Sequence, residues 1–302
     1  MSPANSSRVL VSGASGPIGT ALVPFLRARG YDVVRLVRGP AKGNDEITWD
    51  PYQPLAPESV FGFDTVIHMA GETIFGRWTE AKKKRIIGSR AQGTRNLAEA
   101  LAQAHMKPKV FVSTSATGYY GNRGDELLRE ESTSGSDFVS EVCRQWEGAC
   151  EPAVQAGIRT VQMRTGLVLS ATGGALPKML PAFRLGLGGN MGNGRQWCSW
   201  IAVDDWAGAV HHVVKTELLH GPVNAIAPTP VTNAEFTKTL ASVLKRPAIF
   251  PMPAFAARIV FGQMADELLL SSQRVEPTKL IASGYPFQYP DLRKALEVIL
   301  KK

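Results

Sequence analysis

The chain has 302 residues, 44% hydrophobic and 20% charged, enough for one large domain or two around a substantial core. The formal charge of +8 comes with no RNA- or DNA-binding motif, and its densest run, Lys82-Lys83-Lys84-Arg85, lies in a helical pattern as a solvated face. No apolar run is long enough to span a bilayer, the start MSPANSSR lacks a secretory layout, and three cysteines without C-x-x-C argue against disulfides and zinc. Adjacent His211 and His212 point apart on a helix, so no metal is expected. A globular protein of a reducing compartment, cytoplasmic, is the expectation.

The first element is the apolar run Val9-Leu10-Val11, which meets Gly13, Gly16 and Gly19 in the spacing G-x-x-G-x-x-G. A helix is expected over 18–29, stopped by Gly30. Strand, glycine turn and helix in this order suit a dinucleotide. The first glycine allows a tight turn, the second admits a pyrophosphate, and the third lets helix and strand pack closely. The helix start then turns free N–H groups toward the phosphates. Gly13, Ser15, Gly16, Pro17, Ile18 and Gly19 are therefore expected to bind the cofactor.

Residues 32–37 (DVVRLV) read as the second strand. An acid after it would bond the adenosine ribose hydroxyls, but Arg38 stands there and no Asp or Glu precedes Asp45. A guanidinium suits a 2′-phosphate, so the expected cofactor is NADP(H). A short strand, 47–50 (ITWD), places Asp50 near the adenine. Residues 64–69 (DTVIHM) form a buried strand, with His68 as a core histidine, and Ala70-Gly71-Glu72 closes it. Small residues at that strand end leave room for a ligand at the sheet crevice.

A long helix over 79–103 leads to a strand at 109–113, followed by Thr114-Ser115-Ala116-Thr117-Gly118-Tyr119-Tyr120. One helix is expected over 137–156, capped by Ser136 or Asp137, and one strand over 160–169. Met69, Ala70, Gly71, Ser113, Thr114 and Thr165 complete the expected cofactor contacts at the strand ends. The alternation predicts an α/β protein with a doubly wound parallel sheet. Beyond it, 185–195 is a glycine-rich loop, Thr232 to Glu235 is a capping box, and 247–290 holds short proline-punctuated elements before a last helix at 291–301. Residues 1–170, with contributions from about 198–228, are expected as the nucleotide domain; 171–197 and 229–302 form a smaller substrate region. Arg184, Gln196, Trp197 and Trp200 offer a cation and aromatic faces for a substrate, or pack as a hairpin. Arg164 reads as a strand partner for an acid such as Asp204.

GASGPIG, HMAGE, STSATGYYG and IAVDDW together resemble the extended short-chain dehydrogenase/reductase superfamily of nucleotide-sugar epimerase type. The pair Ser89-Arg90 after Trp78, DFVSEVCRQWE and FRLGLGG with GNGRQWCSWI look like its atypical "epimerase family protein" subgroup, which has its own C-terminal domain of unknown function. The likeness covers essentially the whole chain and implies a Rossmann-like fold. It also implies a serine and a Tyr-x-x-x-Lys helix, in which the lysine and the nicotinamide ribose tune the phenol for proton transfer. Ser115 matches the serine, and Thr117 a substrate-side neighbour. Phe138 stands at the tyrosine position and Val142 at the lysine position, so the dyad is absent.

Tyr119, Glu141 and Glu72 are the candidates to replace it in kind, with Ser115, Tyr119 and Glu72 the expected catalytic set. A tyrosine base needs a cation beside it, either the oxidised nicotinamide or a residue such as Arg123. Three functions compete. One is an NADP(H)-dependent oxidoreductase or epimerase-like enzyme on a small carbonyl or nucleotide-sugar-like substrate. Another is a non-catalytic NADP(H)-binding regulator. A weaker third is an RNA-binding relative. The expected partner is a small molecule, with a homodimer left open and neither membrane nor nucleic acid expected.

Overall fold

In a computed structural model describing residues 7–301, β1 (Arg8–Ser12) is buried from Val9 onward. Such a continuous apolar run is what a strand covered on both faces requires. It passes through the glycine turn into α1 (Gly19–Arg27), whose buried residues include Leu22 and Leu26. β2 (Asp32–Val37), β3 (Glu46–Thr48) and β4 (Thr65–His68) follow, then α2 (Glu80–Gln103), where the Thr79 hydroxyl accepts from the Lys82 N–H. β5 (Val110–Ala116) runs into a single helical turn at Thr117–Tyr120 and a short β6 (Leu127–Leu128). α3 (Phe138–Gly148) is capped by the Asp137 carboxylate, which accepts from the Ser140 N–H. α4 (Glu151–Gln155), β7 (Arg159–Thr165), β8 (Leu167–Leu169), α5 (Leu176–Arg184), β9 (Trp197–Cys198) and β10 (Trp200–Ala202) come next. α6 (Val203–Lys215), β11 (Gly221–Ala225), β12 (Val231–Thr232) and α7 (Asn233–Leu244) precede α8 (Ala254–Phe261), β13 (Arg274–Val275), α9 (Thr278–Ala282) and α10 (Leu292–Lys301).

Seven parallel strands form one sheet in the order β11-β7-β5-β4-β1-β2-β3. The chain winds from β1 out to β3, returns to β4 on the other side of β1, and winds the opposite way. That reversal leaves a crevice beyond the carboxyl ends of β1 and β4, the usual ligand position in such sheets. Leu22, Leu26, Trp206, Val210 and Val213 pack in one core with β1 and β7. Leu97, Leu101, Trp49 and Phe111 pack in a second. A third core, with Phe183, Trp200, Phe236, Leu240 and Leu296, joins α5, α7 and α10.

Two expected elements divide. The helix expected over 137–156 is α3 and α4, because Pro152 has no N–H to give the carbonyl four residues back and its ring clashes there; it sits instead in the first turn of α4. The strand expected over 160–169 is β7 and β8. At Gly166 between them a Cβ would lie 2.5 Å from the Ser199 carbonyl oxygen. β8 leaves the main sheet there and pairs with β10. The capping box forms as expected: the Thr232 hydroxyl accepts from the Glu235 N–H, and Glu235 accepts from the Thr232 N–H.

Candidate functional site

The three glycines of the first turn have different neighbours. Gly13 has φ 71°, and a Cβ there would sit 2.7 Å from the Met69 carbonyl carbon. A Cβ on Gly19 would lie 2.4 Å from the Gly13 oxygen. Gly13 and Gly19 are thus bare because the chain itself fills their space. A Cβ on Gly16 would meet only the Gly13 oxygen, at 3.3 Å. The chain presses on that position far less than on the other two, and a bare backbone there lets a phosphate approach. α1 has Ile18 at its N-cap, no side-chain cap and no acid in its first turn, so its positive end is open to an anion, although the Thr20 and Ala21 N–H groups donate to the Gly16 and Ile18 carbonyls. Ser15 and Pro17 are exposed beside it, while Ile18 packs toward the core. A Cβ on Gly173 would lie 2.7 Å from Pro17 Cβ, so the segment between β8 and α5 crosses the glycine turn.

At the strand ends, Ser12 Oγ accepts from the N–H groups of Met69 (3.1 Å) and Ala70 (3.3 Å) and lies 2.6 Å from His68 Nδ1. Its one proton goes to His68, which fixes Nδ1 as an acceptor. Burial pushes the His68 pKa down to about 3, so this is a neutral core histidine, as its sequence setting suggests. Thr114 Oγ1 donates to the His68 carbonyl, and Ser113 is buried one residue earlier. Thr165 Oγ1 accepts from Trp206 Nε1 at 3.0 Å. Asp50, exposed, accepts from the Tyr52 N–H. Arg27 and Arg35 both pair with Asp45. Arg38, exposed directly after β2, makes no ion pair among the described residues.

Ser115 sits in a buried polar chain rather than alone. Its hydroxyl donates to Glu147 Oε1 at 2.7 Å, and Glu147 receives both Nε and Nη2 of Arg164 at 2.9 Å. Arg164 also donates to Tyr120 Oη (3.0 Å), whose own hydroxyl donates to Asn224 (2.7 Å). Burial works against the Arg164 cation, but Glu147 and Tyr120 outweigh it and keep it charged. Burial pushes the Tyr120 phenol up to about 12 and raises the pKa of Glu130, whose carboxylate accepts from the N–H groups of Asn224 and Lys279. The acid partner of Arg164 is therefore Glu147, not Asp204. The sequence carried a signal for it: Cys143 and Glu147, four apart, share the face of α3 that turns inward.

Tyr119 lies next to this chain, with Arg164 Cζ 3.5 Å from its ring centre. Arg164 is the cation beside it; Arg123 is spent on Glu126. Glu141 bonds Gln145 and Arg144, which hold its carboxyl below its ordinary value, and so reads as a solvated carboxylate of its own helix. Glu72 is held by its backbone: its N–H donates to Ser89 Oγ and its carbonyl accepts from Arg90 Nη1. Gly71 lies against that same guanidinium. Phe138 packs edge-on against Trp78 at 5.2 Å, and Val142 is buried with Trp78, Ile86, Cys143 and Met264. Apolar packing thus surrounds Phe138 and Val142, the two residues at which the resemblance leads one to expect tyrosine and lysine. The candidate substrate residues bond within the protein. Gln196 donates to the carbonyls of Met191 and Leu269, Trp200 is fully buried with Nε1 on the Thr229 carbonyl, and Trp197 bonds Asp125. The Arg184 carbonyl accepts from Arg246. No cluster of metal-binding side chains occurs among the described residues.

Comparison with known proteins gives the same outline. Residues 252–299 match a domain of unknown function, DUF1731. The human epimerase family protein SDR39U1 is 39% identical over 297 residues, 97% of this chain and 99% of its own. Epimerase family protein MT2273 of Mycobacterium tuberculosis is 39% identical over 290 residues, 95% of this chain and 96% of its own. The crystal structure of human SDR39U1 (isoform 2) with NADPH superposes with a TM-score of 0.90, at 38% identity, over 98% of this chain and 99% of that one. A UDP-glucose 4-epimerase of Thermus thermophilus, at 21% identity and a TM-score of 0.77, covers 97% of this chain and 98% of that one, and shares the fold. Residues 9–226, the glycine turn through the last strand of the main sheet, match the NAD dependent epimerase/dehydratase family, and the chain belongs to that family.

Proposed function

We propose that this chain binds NADPH along the crevice at the carboxyl ends of β1, β4 and β5. Gly16 carries the reading: it sits at the turn into the uncapped start of α1, and a Cβ there would meet a single atom, the Gly13 oxygen at 3.3 Å, so its face is nearly open toward a phosphate. The unpaired Arg38 at the end of β2 supports a 2′-phosphate there. The relative crystallised with NADPH, at 38% identity, points the same way.

NADPH supplies a hydride. On our reading the chain is an oxidoreductase or epimerase-like enzyme acting on a small carbonyl or nucleotide-sugar-like compound. Residues 171–197 and 229–302 shape the substrate side. Tyr119 moves the proton of the substrate oxygen, Ser115 joins it when that oxygen takes the hydroxyl proton now given to Glu147, and Glu72 stands at the cofactor floor. The second reading, a non-catalytic NADPH-binding protein, is favoured by one observation: Phe138 and Val142 lie in apolar packing.

Calorimetric titration should give NADPH an affinity about ten- to a hundredfold above NADH, the range of a charge-assisted contact of about 1.5–3 kcal/mol. Equal affinities would sink the cofactor assignment. Loss of NADPH absorbance with a panel of carbonyls, together with chromatographic detection of epimers formed from nucleotide sugars in the presence of NADP+, then separates the two readings. Turnover that falls about a hundredfold or more in Tyr119→Phe supports the enzyme. Tight NADPH binding without turnover supports the second reading.

A further inference from the structure

Arg90 is a cation that the packing leaves half used. It lies on α2, partly buried, and its guanidinium carbon is 4.9 Å from the Trp146 ring centre on α3. Nη1 donates to the carbonyls of Glu72 (3.0 Å) and Ile86 (3.3 Å). Among the described residues, Nε and Nη2 have no hydrogen-bond partner, and no carboxylate forms an ion pair with the guanidinium. Burial lowers its pKa, against the pull of nearby Cys143 and Glu72. A guanidinium in this state wants an acceptor.

Its position says which one. A Cβ on Gly71 would come within 3.2 Å of the Arg90 guanidinium carbon, so the cation lies directly against the Gly71-Glu72 segment that follows β4. Arg38, at the end of β2, marks the adenosine side of the crevice; β4 and β5 lie on the other side of β1, where a dinucleotide extended across the switch point puts its nicotinamide half. Arg90 also neighbours Cys143, the residue after Val142. A lysine at position 142 would hold the nicotinamide-side ribose from α3. We propose that Arg90, supplied from α2, takes over that task and donates to the hydroxyls of the nicotinamide-side ribose. The bare Gly71 leaves the guanidinium its place.

This rests on the NADPH reading, and the test separates the two. Adenosine 2′,5′-bisphosphate carries the adenosine half alone, so its binding does not sense Arg90. In Arg90→Gln, NADPH affinity should fall about tenfold or more while adenosine 2′,5′-bisphosphate stays within about twofold. Arg90→Lys, which keeps the charge, should recover most of the loss. Unchanged NADPH binding in Arg90→Gln, or equal losses for both ligands, overturns the proposal. A wild-type chain that binds neither ligand overturns the cofactor reading itself. Should Arg90→Gln not fold, a crystal structure of the wild-type chain with NADPH decides. Nε or Nη2 within about 3.2 Å of a nicotinamide-ribose oxygen supports the proposal, and separations beyond about 4 Å reject it.

Discussion

Gly16 and Gly19 are one residue type with two duties. In the spacing alone they look equivalent, because the collision that forces Gly19 involves the Gly13 carbonyl across the turn. Gly16→Val should keep its fold with a modest loss of thermal stability, since its Cβ presses on the Gly13 oxygen at 3.3 Å, and lose NADPH binding. Gly19→Val should lose stability itself, since a Cβ 2.4 Å from a backbone oxygen cannot be relieved by a rotamer change. Thermal melts with and without NADPH distinguish the pair. Arg38→Ala should weaken NADPH about ten- to a hundredfold and leave NADH nearly unchanged by calorimetry, the loss of one charge-assisted contact. Arg38 stands out in the sequence because no acid lies between β2 and Asp45; the place of Arg90 against Gly71 does not, because two separate elements make it.

His68 carries a pH prediction. Unfolded, it takes up a proton near its ordinary value of 6.5; folded, burial delays that to about 3. The folded state therefore binds fewer protons between those values. Its stability is intact above the unfolded value and declines as pH falls through the window, by at most about 1.4 kcal/mol per pH unit from this group. Burial lowers His211 and His212 as well, in the same direction. Urea unfolding at about pH 7 and about pH 5 should show a smaller acid loss in His68→Gln than in the wild type. Equal losses would assign the acid sensitivity to other groups.

Among elements, the parallel strands were the most readable. DVVRLV is β2 to the residue: Val33, Val34 and Leu36 are buried, and Arg35 among them pairs with Asp45 and Glu46 at the start of β3. Breaks were harder to see. The end of α3 depends on Pro152, which is visible in the sequence, but the departure of β8 depends on Ser199 passing Gly166, which is not. α3 shows how firmly one face of a helix can be committed to packing. Its inward face carries Val139, Val142, Cys143 and Trp146, so a lysine at 142 enters an apolar cluster. Val142→Lys should cost roughly 2–5 kcal/mol, read as a fall in the denaturation midpoint. Phe138→Tyr, at the first position of the helix, should cost much less. A Val142→Lys chain as stable as the wild type would mean that the cluster opens readily to water.

At the scale of the molecule, the C-terminal part is tied to the sheet by a buried carboxylate. Asp205 on α6, 1% exposed, accepts from Tyr285 Oη and from the N–H groups of Gln288 and Tyr289. Burial and that carboxylate raise the pKa of the Tyr285 phenol. A chain ended at residue 228 keeps all seven strands but strips α7 and α10 from Phe183 and Trp200. It should aggregate on size-exclusion chromatography, where the full chain elutes as a discrete species. A discrete, soluble 1–228 fragment would show that the sheet stands without its C-terminal cover.

The strand order β11-β7-β5 also has a meaning in time. β7 is made early, yet its outer neighbour β11 is translated only after α5, the glycine-rich loop and α6 have emerged. At ribosomal speeds of about 5–20 residues per second, that interval of about 55 residues lasts several seconds. For those seconds the nascent sheet has an open parallel edge at β7, a ready template for another chain. Arg159, at the start of β7, later closes on the carbonyls of Val213, Val214 and Leu219 at the end of α6 and beyond it. Until that latch forms, the growing chain depends on whatever the cell provides to shield a bare strand.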